Sequence, residues 1–199
     1  MKRRVLTVCG SLQPLSANRA AIEVAQAYMH SMSDVDVDDY GDLASIPPLN
    51  AAPDHDPGPA VTAWRECIAR SDAVLIAAPE YAGALAGTIK NALDWIVGSG
   101  ELYTKPVAVT SGGFYARQML IQTLTWQGAH VVAELGISSP RTKSDARGRF
   151  IDDATITEIE RLTALLVDVP TLDARDRLAL VRAVVDAAHV DAGHVAPLV

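Results

Sequence analysis

The sequence predicts a three-layer α/β/α sandwich around a five-stranded parallel sheet. Two observations support this prediction: short apolar runs of strand length alternate with longer segments of helical period, and this alternation continues along the chain. Strands that alternate with helices form parallel sheets covered by helices on both faces. The chain has 199 residues, 49% of them hydrophobic, so we expect one domain with a sizeable core over residues 1–199.

The first elements can be read from the change of period. Val5–Cys9 is a short apolar run rich in β-branched residues, which predicts a strand. From Ala17 onwards apolar residues recur at three and four positions, which predicts an amphipathic helix. Residues 35–38 alternate valine and aspartate, as expected for an edge strand with one buried face. Five prolines make residues 41–60 a predicted long loop.

The middle of the chain contains a third strand between two helices. Val61, Trp64 and Ile68 have the spacing of one helix face. Residues 73–78 form a continuous apolar run that ends at a proline, which predicts a strand buried on both faces. Apolar residues every three or four positions from Leu85 to Ile96 then predict a helix that ends near a glycine.

The second half continues the same order of elements. Pro106–Ser111 is the fourth predicted strand, followed by a helix over about residues 115–127 and a fifth strand around His130–Leu135. Apolar residues from Ile156 to Leu166 predict a further helix. An extra C-terminal helix is expected over about residues 172–190.

Composition and charge exclude several function classes. The formal net charge of −7 argues against a general nucleic-acid binder, because neutralising phosphates requires a basic face. Cys9 and Cys67 are too few for a disulfide framework and form no C-x-x-C pair. No apolar run reaches the length of a signal-peptide core or of a membrane span. We therefore expect a cytoplasmic protein with no metal site and with neither a membrane nor a nucleic acid as partner.

The loop after the first predicted strand is a candidate anion site. Ligands of an open parallel sheet bind beyond the carboxyl ends of its strands. This loop, residues 10–18, is rich in small and hydroxyl side chains and opens a helix, whose free N–H groups can bind an anion. The same residues also suit a tight turn in which Ser16 caps the helix. Neither glycine-rich nucleotide signature is present, so the residues alone leave both interpretations open.

Two further loops lie at the same edge of the predicted sheet. Residues 79–95 read P-E-Y-A-G-A-L-A-G-T-I-K-N-A-L-D-W, and the fourth strand ends in Ser111-Gly112-Gly113. Glycines in such loops let the backbone approach a flat ligand closely and donate N–H groups to its edge.

Together the three loops resemble those of the NADPH-dependent FMN reductase family of flavodoxin-like flavoproteins. The resemblance covers about residues 3–135 and is most specific over residues 79–95. It implies a flavodoxin-like fold with strand order 2-1-3-4-5 and FMN bound without a covalent link. It also implies that NADPH or NADH gives a hydride to FMN, which then reduces a small-molecule acceptor such as a flavin or a quinone. Many members are homodimers or homotetramers.

The resemblance also implies which residues bind FMN. Ser11, Gln13, Ser16, Ala17 and Asn18 fall on the phosphate loop, Pro79, Glu80, Tyr81, Ala82 and Gly83 on the loop along the isoalloxazine ring, and Ser111, Gly112 and Gly113 on the loop near its pyrimidine edge. Backbone donors there would stabilise negative charge on reduced flavin. Since hydride passes directly between two stacked rings, the resemblance implies no catalytic acid or base.

The sequence departs from the family pattern at several of these positions. Gln13 stands where the family usually has a basic residue, so a charge-assisted contact to phosphate worth about 1.5–3 kcal/mol is missing. Ala82, Ala84 and Ala86 replace the usual Asn, Ser and Pro, which removes side-chain donors near the ring. We expect weaker FMN binding, a weaker preference for NADPH over NADH, or both.

Other interpretations of the chain remain open at this level. The basic residues at 141, 143, 147 and 149 form either a solvated connection or a surface that attracts an anionic cofactor. An FMN-binding electron carrier without nicotinamide-dependent activity is the alternative to a reductase. A third interpretation is that tight flavin binding has been lost, which leaves FMN as a diffusible substrate or a fold without redox chemistry.

Overall fold

A five-stranded parallel sheet lies at the centre of the structure, a computed structural model that describes residues 2–52 and 56–197. The strands in this part of the chain are β1 (Arg3–Cys9), β2 (Val35–Tyr40), β3 (Ala73–Ala77), β4 (Glu80–Tyr81), β5 (Ala84–Leu85), β6 (Pro106–Ser111) and β7 (His130–Gly136). The sheet has the order β2-β1-β3-β6-β7, and all its neighbours pair in parallel. Counted without the short antiparallel pair β4–β5, this is the predicted order 2-1-3-4-5.

Helices cover both faces of the sheet, as predicted. They are α1 (Ala17–His30), α2 (Gly58–Ala69), α3 (Gly87–Asp94), α4 (Phe114–Trp126), α5 (Asp153–Asp168) and α6 (Ala174–Ala187). Side chains of α1 and α5 belong to one apolar core, whereas those of α2, α3 and α4 belong to the other. None of the helices in the described residues combines the length and the apolar character needed to cross a membrane.

The central strands separate the two cores by the alternation of their side chains. In β3, Val74 and Ile76 pack into the core beneath α2, α3 and α4, while Leu75 packs into the core beneath α1 and α5. Every residue of β3 is buried, which confirms the prediction of a strand covered on both faces. The valines at 35 and 37 of β2 pack against one core only, in keeping with the predicted edge strand.

Two predicted boundaries were wrong. Leu85 belongs to β5 and not to the helix that follows, because the chain reverses in a tight turn after β4 and α3 begins only at Gly87. Within the predicted loop 41–60, α2 already begins at Gly58, since a proline in the first turn of a helix removes no helical hydrogen bond. Residues 43–45 form a short 3-10 turn, and residues 53–55 of the same loop lie outside the described residues.

The C-terminal helix packs against the last strand of the sheet. Val181 and Val185 of α6 are fully buried, and the chain beyond the helix returns to β7. There the Nε2 atom of His130 lies 2.7 Å from the carbonyl oxygen of Ala196, and the ring is fully buried. Burial lowers the pKa of His130, with a further lowering by the charge of Arg177 against a raising effect of the hydrogen bond to Ala196. The folded protein therefore disfavours the protonated form of this imidazole.

We predict that His130 makes the protein less stable at acidic pH. In the unfolded chain this residue takes up a proton near the ordinary histidine pKa of about 6.5. In the folded state it takes up the proton only at lower pH. The unfolded state then binds more protons, so the free energy of unfolding falls as the pH falls below about 6.5. Chemical denaturation of His130→Gln at a series of pH values should show that the free energy of unfolding depends less steeply on pH between about pH 7 and pH 5. The exposed His30→Gln is the matched control, and equal slopes for His130→Gln and wild type would contradict the prediction.

Candidate functional site

A cleft of about 560 Å³ opens at the carboxyl edge of the sheet, where the loops after β1, β3 and β6 meet. This volume lies within the roughly 300–1,000 Å³ of small-molecule and cofactor sites. Most residues that the sequence singled out line it: Ser11, Gln13, Ser16, Ala17, Asn18, Pro79, Glu80, Tyr81, Gly112 and Gly113. Ala82, Gly83 and Ser111 are not among the lining residues. The fold thus brings together segments that lie about a hundred residues apart in the chain.

The first loop presents hydrogen-bond donors at the start of α1. Ser16 is the N-cap, and its Oγ accepts the N–H of Arg19 at 3.1 Å. The Oγ of Ser11 accepts the N–H of Gln13 at 3.2 Å, which shapes the turn. The N–H groups of Ala17 and Asn18 have no acceptor among the described residues. Free N–H groups in the first turn of a helix, together with the helix dipole, form an anion site.

The second loop forms a β-hairpin with a two-residue turn, which the sequence did not predict. Glu80 pairs with Leu85 and Tyr81 with Ala84, and the turn between them is Ala82-Gly83. Both turn residues have positive φ, 53° and 72°, the pattern of a type I′ turn. Such a turn strongly prefers Asn-Gly, so Ala82 carries the strain of a side chain in the left-handed region. The hairpin places Tyr81 at the edge of the cleft, 58% exposed.

Glu80 joins the second loop to the third. Its carboxylate oxygen Oε2 accepts the N–H of Ala116 at 3.0 Å, in the first turn of α4. The N-cap residue of α4 is Gly113, which has no side chain to serve as a cap, and a Cβ there would overlap the Glu80 side chain. Glu80 therefore acts as the cap of α4, and its negative charge is favourable next to the helix N-terminus.

The third loop contributes a hydroxyl that the sequence analysis missed. Thr110 is 2% exposed and lines the cleft, and its Oγ1 has no hydrogen-bond partner among the described residues. A buried hydroxyl without a partner is costly unless a ligand satisfies it. The neighbouring Ser111 is instead satisfied within the loop, since its Oγ accepts the N–H of Gly113 at 3.1 Å. A polar residue near the end of an otherwise apolar strand is the signal that would have pointed to Thr110.

Residues after β7 close the remaining side of the cleft. Ile137, Pro140 and Arg141 line it together with Leu15 of the first loop. The N–H of Ile137 donates to the carbonyl of Ser111 at 3.1 Å, which fixes this segment against the third loop. These residues follow the fifth strand of the sheet, whereas the three site loops predicted from the sequence follow β1, β3 and β6.

The sheet order and the cleft define the class of protein. A parallel sheet of order 2-1-3-4-5 binds its ligand beside the first strand, where the order reverses, and here the N-terminus of α1 lies at that position. This is the arrangement of a flavodoxin-like flavoprotein. The model of the NADPH-dependent FMN reductase family matches residues 3–142, so the chain belongs to that family.

Individual relatives support this family assignment. An NAD(P)H-dependent FMN reductase of Pseudomonas aeruginosa is 35% identical over 166 residues, 75% of this chain and 85% of that protein. An NADPH:quinone oxidoreductase of Arabidopsis thaliana is 29% identical over 188 residues, 86% of this chain and 92% of that protein. The solved structure of a flavoenzyme NAD(P)H:(acceptor) oxidoreductase from Paracoccus denitrificans has a TM-score of 0.67 and 25% identity, covering 83% of this chain and 96% of that one.

FMN is the cofactor that family membership implies, and the cleft fits it. The free N–H groups of Ala17 and Asn18 suit the phosphate. The unpartnered hydroxyl of Thr110 can bond a polar atom of the ligand, and Gly112 and Gly113 let the ligand approach the backbone. The cleft thus offers FMN mainly backbone groups and short side chains.

We predict that Ala82→Asn stabilises the protein. Asparagine tolerates the left-handed backbone of this turn better than alanine does, so the free energy of unfolding should rise by about 0.5–1 kcal/mol. Thermal or chemical denaturation measures this change. Ala84→Asn is the matched control, because Ala84 lies in β5 and has no positive φ. A variant Ala82→Asn no more stable than wild type would show that the turn is not strained.

Proposed function

We propose that this chain is an NAD(P)H-dependent FMN reductase that passes electrons on to flavin, quinone or similar small acceptors. The observation that carries the proposal is the cleft at the carboxyl edge of the sheet, which is lined by the first turn of α1 and by Thr110; the N–H groups of that turn and the buried Thr110 hydroxyl have no partner among the described residues. Membership of the NADPH-dependent FMN reductase family supports the same activity.

In this proposal the residues of the chain bind the cofactor and orient it. Ser11, Ala17 and Asn18 hold the phosphate, while Pro79 and Tyr81 line the wall along the ring. FMN held by these residues would supply the redox chemistry, the transfer of two electrons from the hydride of a reduced nicotinamide to an acceptor. Glu80 caps α4 through its bond to Ala116 and needs no role as acid or base.

A visible spectrum tests this function. Purified protein with added FMN should show perturbed flavin bands near about 370 and 450 nm, and anaerobic NADPH or NADH should bleach them. Flavin that binds but stays oxidised would favour the electron carrier and contradict the reductase. Absence of binding at high micromolar FMN would contradict both.

Thr110→Val is the matched variant for the spectral test. It keeps the shape of the side chain and removes a hydroxyl that has no partner within residues 2–52 and 56–197, so stability should not fall. If the hydroxyl bonds the flavin, the affinity for FMN should fall by about five- to tenfold. Loss of stability without loss of affinity would place the hydroxyl in the fold instead.

We further propose that the chain forms a homodimer or homotetramer through the rim of the cleft. Large apolar side chains stand exposed there by half or more, and such exposure marks an interaction surface. They are Leu12, Leu15, Tyr81, Phe114 and Tyr115.

A cytoplasmic location is also part of the proposal, because both cysteines are free thiols, as is usual in a reducing compartment.

Light scattering should therefore give the mass of two or four chains of 21.1 kDa. Tyr115→Glu should lower this mass, because a charge in an apolar interface is costly. Val97→Glu is the control, since Val97 is 62% exposed and follows α3 at the opposite edge of the sheet. A wild-type monomer at micromolar concentration would overturn the oligomer.

A further inference from the structure

The phosphate-binding loop has no cation of its own. Gln13 is neutral and exposed, and the next basic side chain in the loop and helix is Arg19. The Nη1 atom of Arg19 lies 3.0 Å from the Oδ2 atom of Asp39, so its charge is already paired. What remains are backbone N–H groups and hydroxyls. A phosphomonoester dianion bound by these groups alone lacks a charged partner.

A basic segment from another part of the chain packs against this loop. Residues 140–149 follow β7 and begin with the 3-10 turn Pro140–Lys143. Gly148 of this segment has φ +77°, and a Cβ placed there would lie 3.2 Å from the carbonyl oxygen of Leu15. The segment therefore touches the first loop directly, with no room for a side chain at the contact.

The segment is held by its own hydrogen bonds. Ser144 and Phe150 form a β-bridge, and Phe150 is buried. The carboxylate of Asp145 accepts the N–H groups of Arg147 and Arg149 at 2.9 Å and also pairs with the Arg149 guanidinium. These bonds hold the pKa of Asp145 below its usual range. The segment is thus an ordered turn in which one of the four basic side chains is neutralised.

Arg141 is the basic residue of the segment that faces the cleft. It lines the cleft together with Ser11, Ser16 and Ala17, and it borders a smaller adjoining cavity of about 220 Å³ with Leu15 and Ala17. Lys143, Arg147 and Arg149 line neither space. The Arg141 guanidinium makes no hydrogen bond or ion pair with any of the described residues. Arg141, without a partner among the described residues, therefore lines the same two spaces as Ala17, whose N–H group is free.

We propose that Arg141 binds a phosphomonoester group in the cleft that the N-terminus of α1 lines. From the segment after β7 it supplies the charge that a basic residue at position 13 would supply from the first loop. Guanidinium suits this task because its planar donors match phosphate oxygens in pairs. The inference rests on the proposed function, which provides two sources of such a group: the phosphate of FMN and the 2′-phosphate of NADPH.

Binding of FMN and of riboflavin distinguishes the first source. In Arg141→Gln the affinity for FMN should fall by about 10- to 100-fold, while that for riboflavin, which has no phosphate, stays unchanged. Arg147→Gln is the matched control, since Arg147 lies on the same segment, is exposed and does not line the cleft. Gln13→Arg added to Arg141→Gln should restore FMN binding, because it returns a cation to the same anion.

The second source is tested by kinetics. If Arg141 binds the 2′-phosphate, Arg141→Gln should leave FMN binding intact and lower kcat/KM for NADPH but not for NADH. Either result supports a phosphate-binding Arg141 and tells which molecule carries the group. Unchanged FMN affinity together with an unchanged ratio of NADPH to NADH would overturn the inference.

Inorganic phosphate separates this inference from the proposed function. At about 50 mM it should raise the Tm of wild type and of Arg147→Gln above that in chloride of equal ionic strength, but not that of Arg141→Gln. If wild type binds no FMN, the proposed function fails while this comparison still decides the role of Arg141. Equal shifts in all three proteins, or no shift in wild type, would count against the phosphate site.

Discussion

The burial of the central strands on both faces is the constraint on which the rest of the structure depends. Because β1, β3 and β6 pair in parallel between two apolar cores, their carboxyl ends meet at one edge of the sheet. Every connection returns over a face of the sheet, so the loops that follow these strands gather at that edge and form the cleft. The cleft is a consequence of strand direction, and its chemistry comes from the few residues that follow each strand.

Contacts between these loops hold the site in shape. Glu80 of the hairpin caps α4, Gly113 makes room for it, and Ser111 is bonded to the N–H of Gly113. The loops therefore support one another, and a change in one is expected to affect the others. The hairpin turn at Ala82 is the strained part of this arrangement, because a side chain occupies a left-handed backbone position. The site combines firm mutual support with one locally unfavourable turn.

The charge of the cleft differs from that of the chain as a whole. The protein carries a net charge of −7, yet its candidate phosphate site offers helix N–H groups and the guanidinium of Arg141, which has no ion-pair partner among the described residues. A local positive potential attracts an anionic cofactor even when the whole surface is acidic. Gln13 on its own predicts weak phosphate binding. In the proposed site, however, Arg141 from the segment after β7 supplies the positive charge that position 13 lacks. The expectation of weaker binding from Gln13 is thus modified by a residue from outside the loop.

The sequence by itself determined the alternation of strands and helices, the strand order through a family resemblance, and the three loops of the site. These features are local: apolar period, proline and glycine positions, and a motif within residues 79–95 are properties of neighbouring residues. Only the tertiary structure decided the hairpin at Ala82, the capping of α4 by Glu80, the unpartnered hydroxyl of Thr110 and the position of Arg141 beside Ala17. The hairpin is local, but its turn lacks the Asn-Gly pair that would have predicted it. The other three features depend on distances between segments far apart in the chain. Such distances are set by packing of the two cores, which no local pattern encodes.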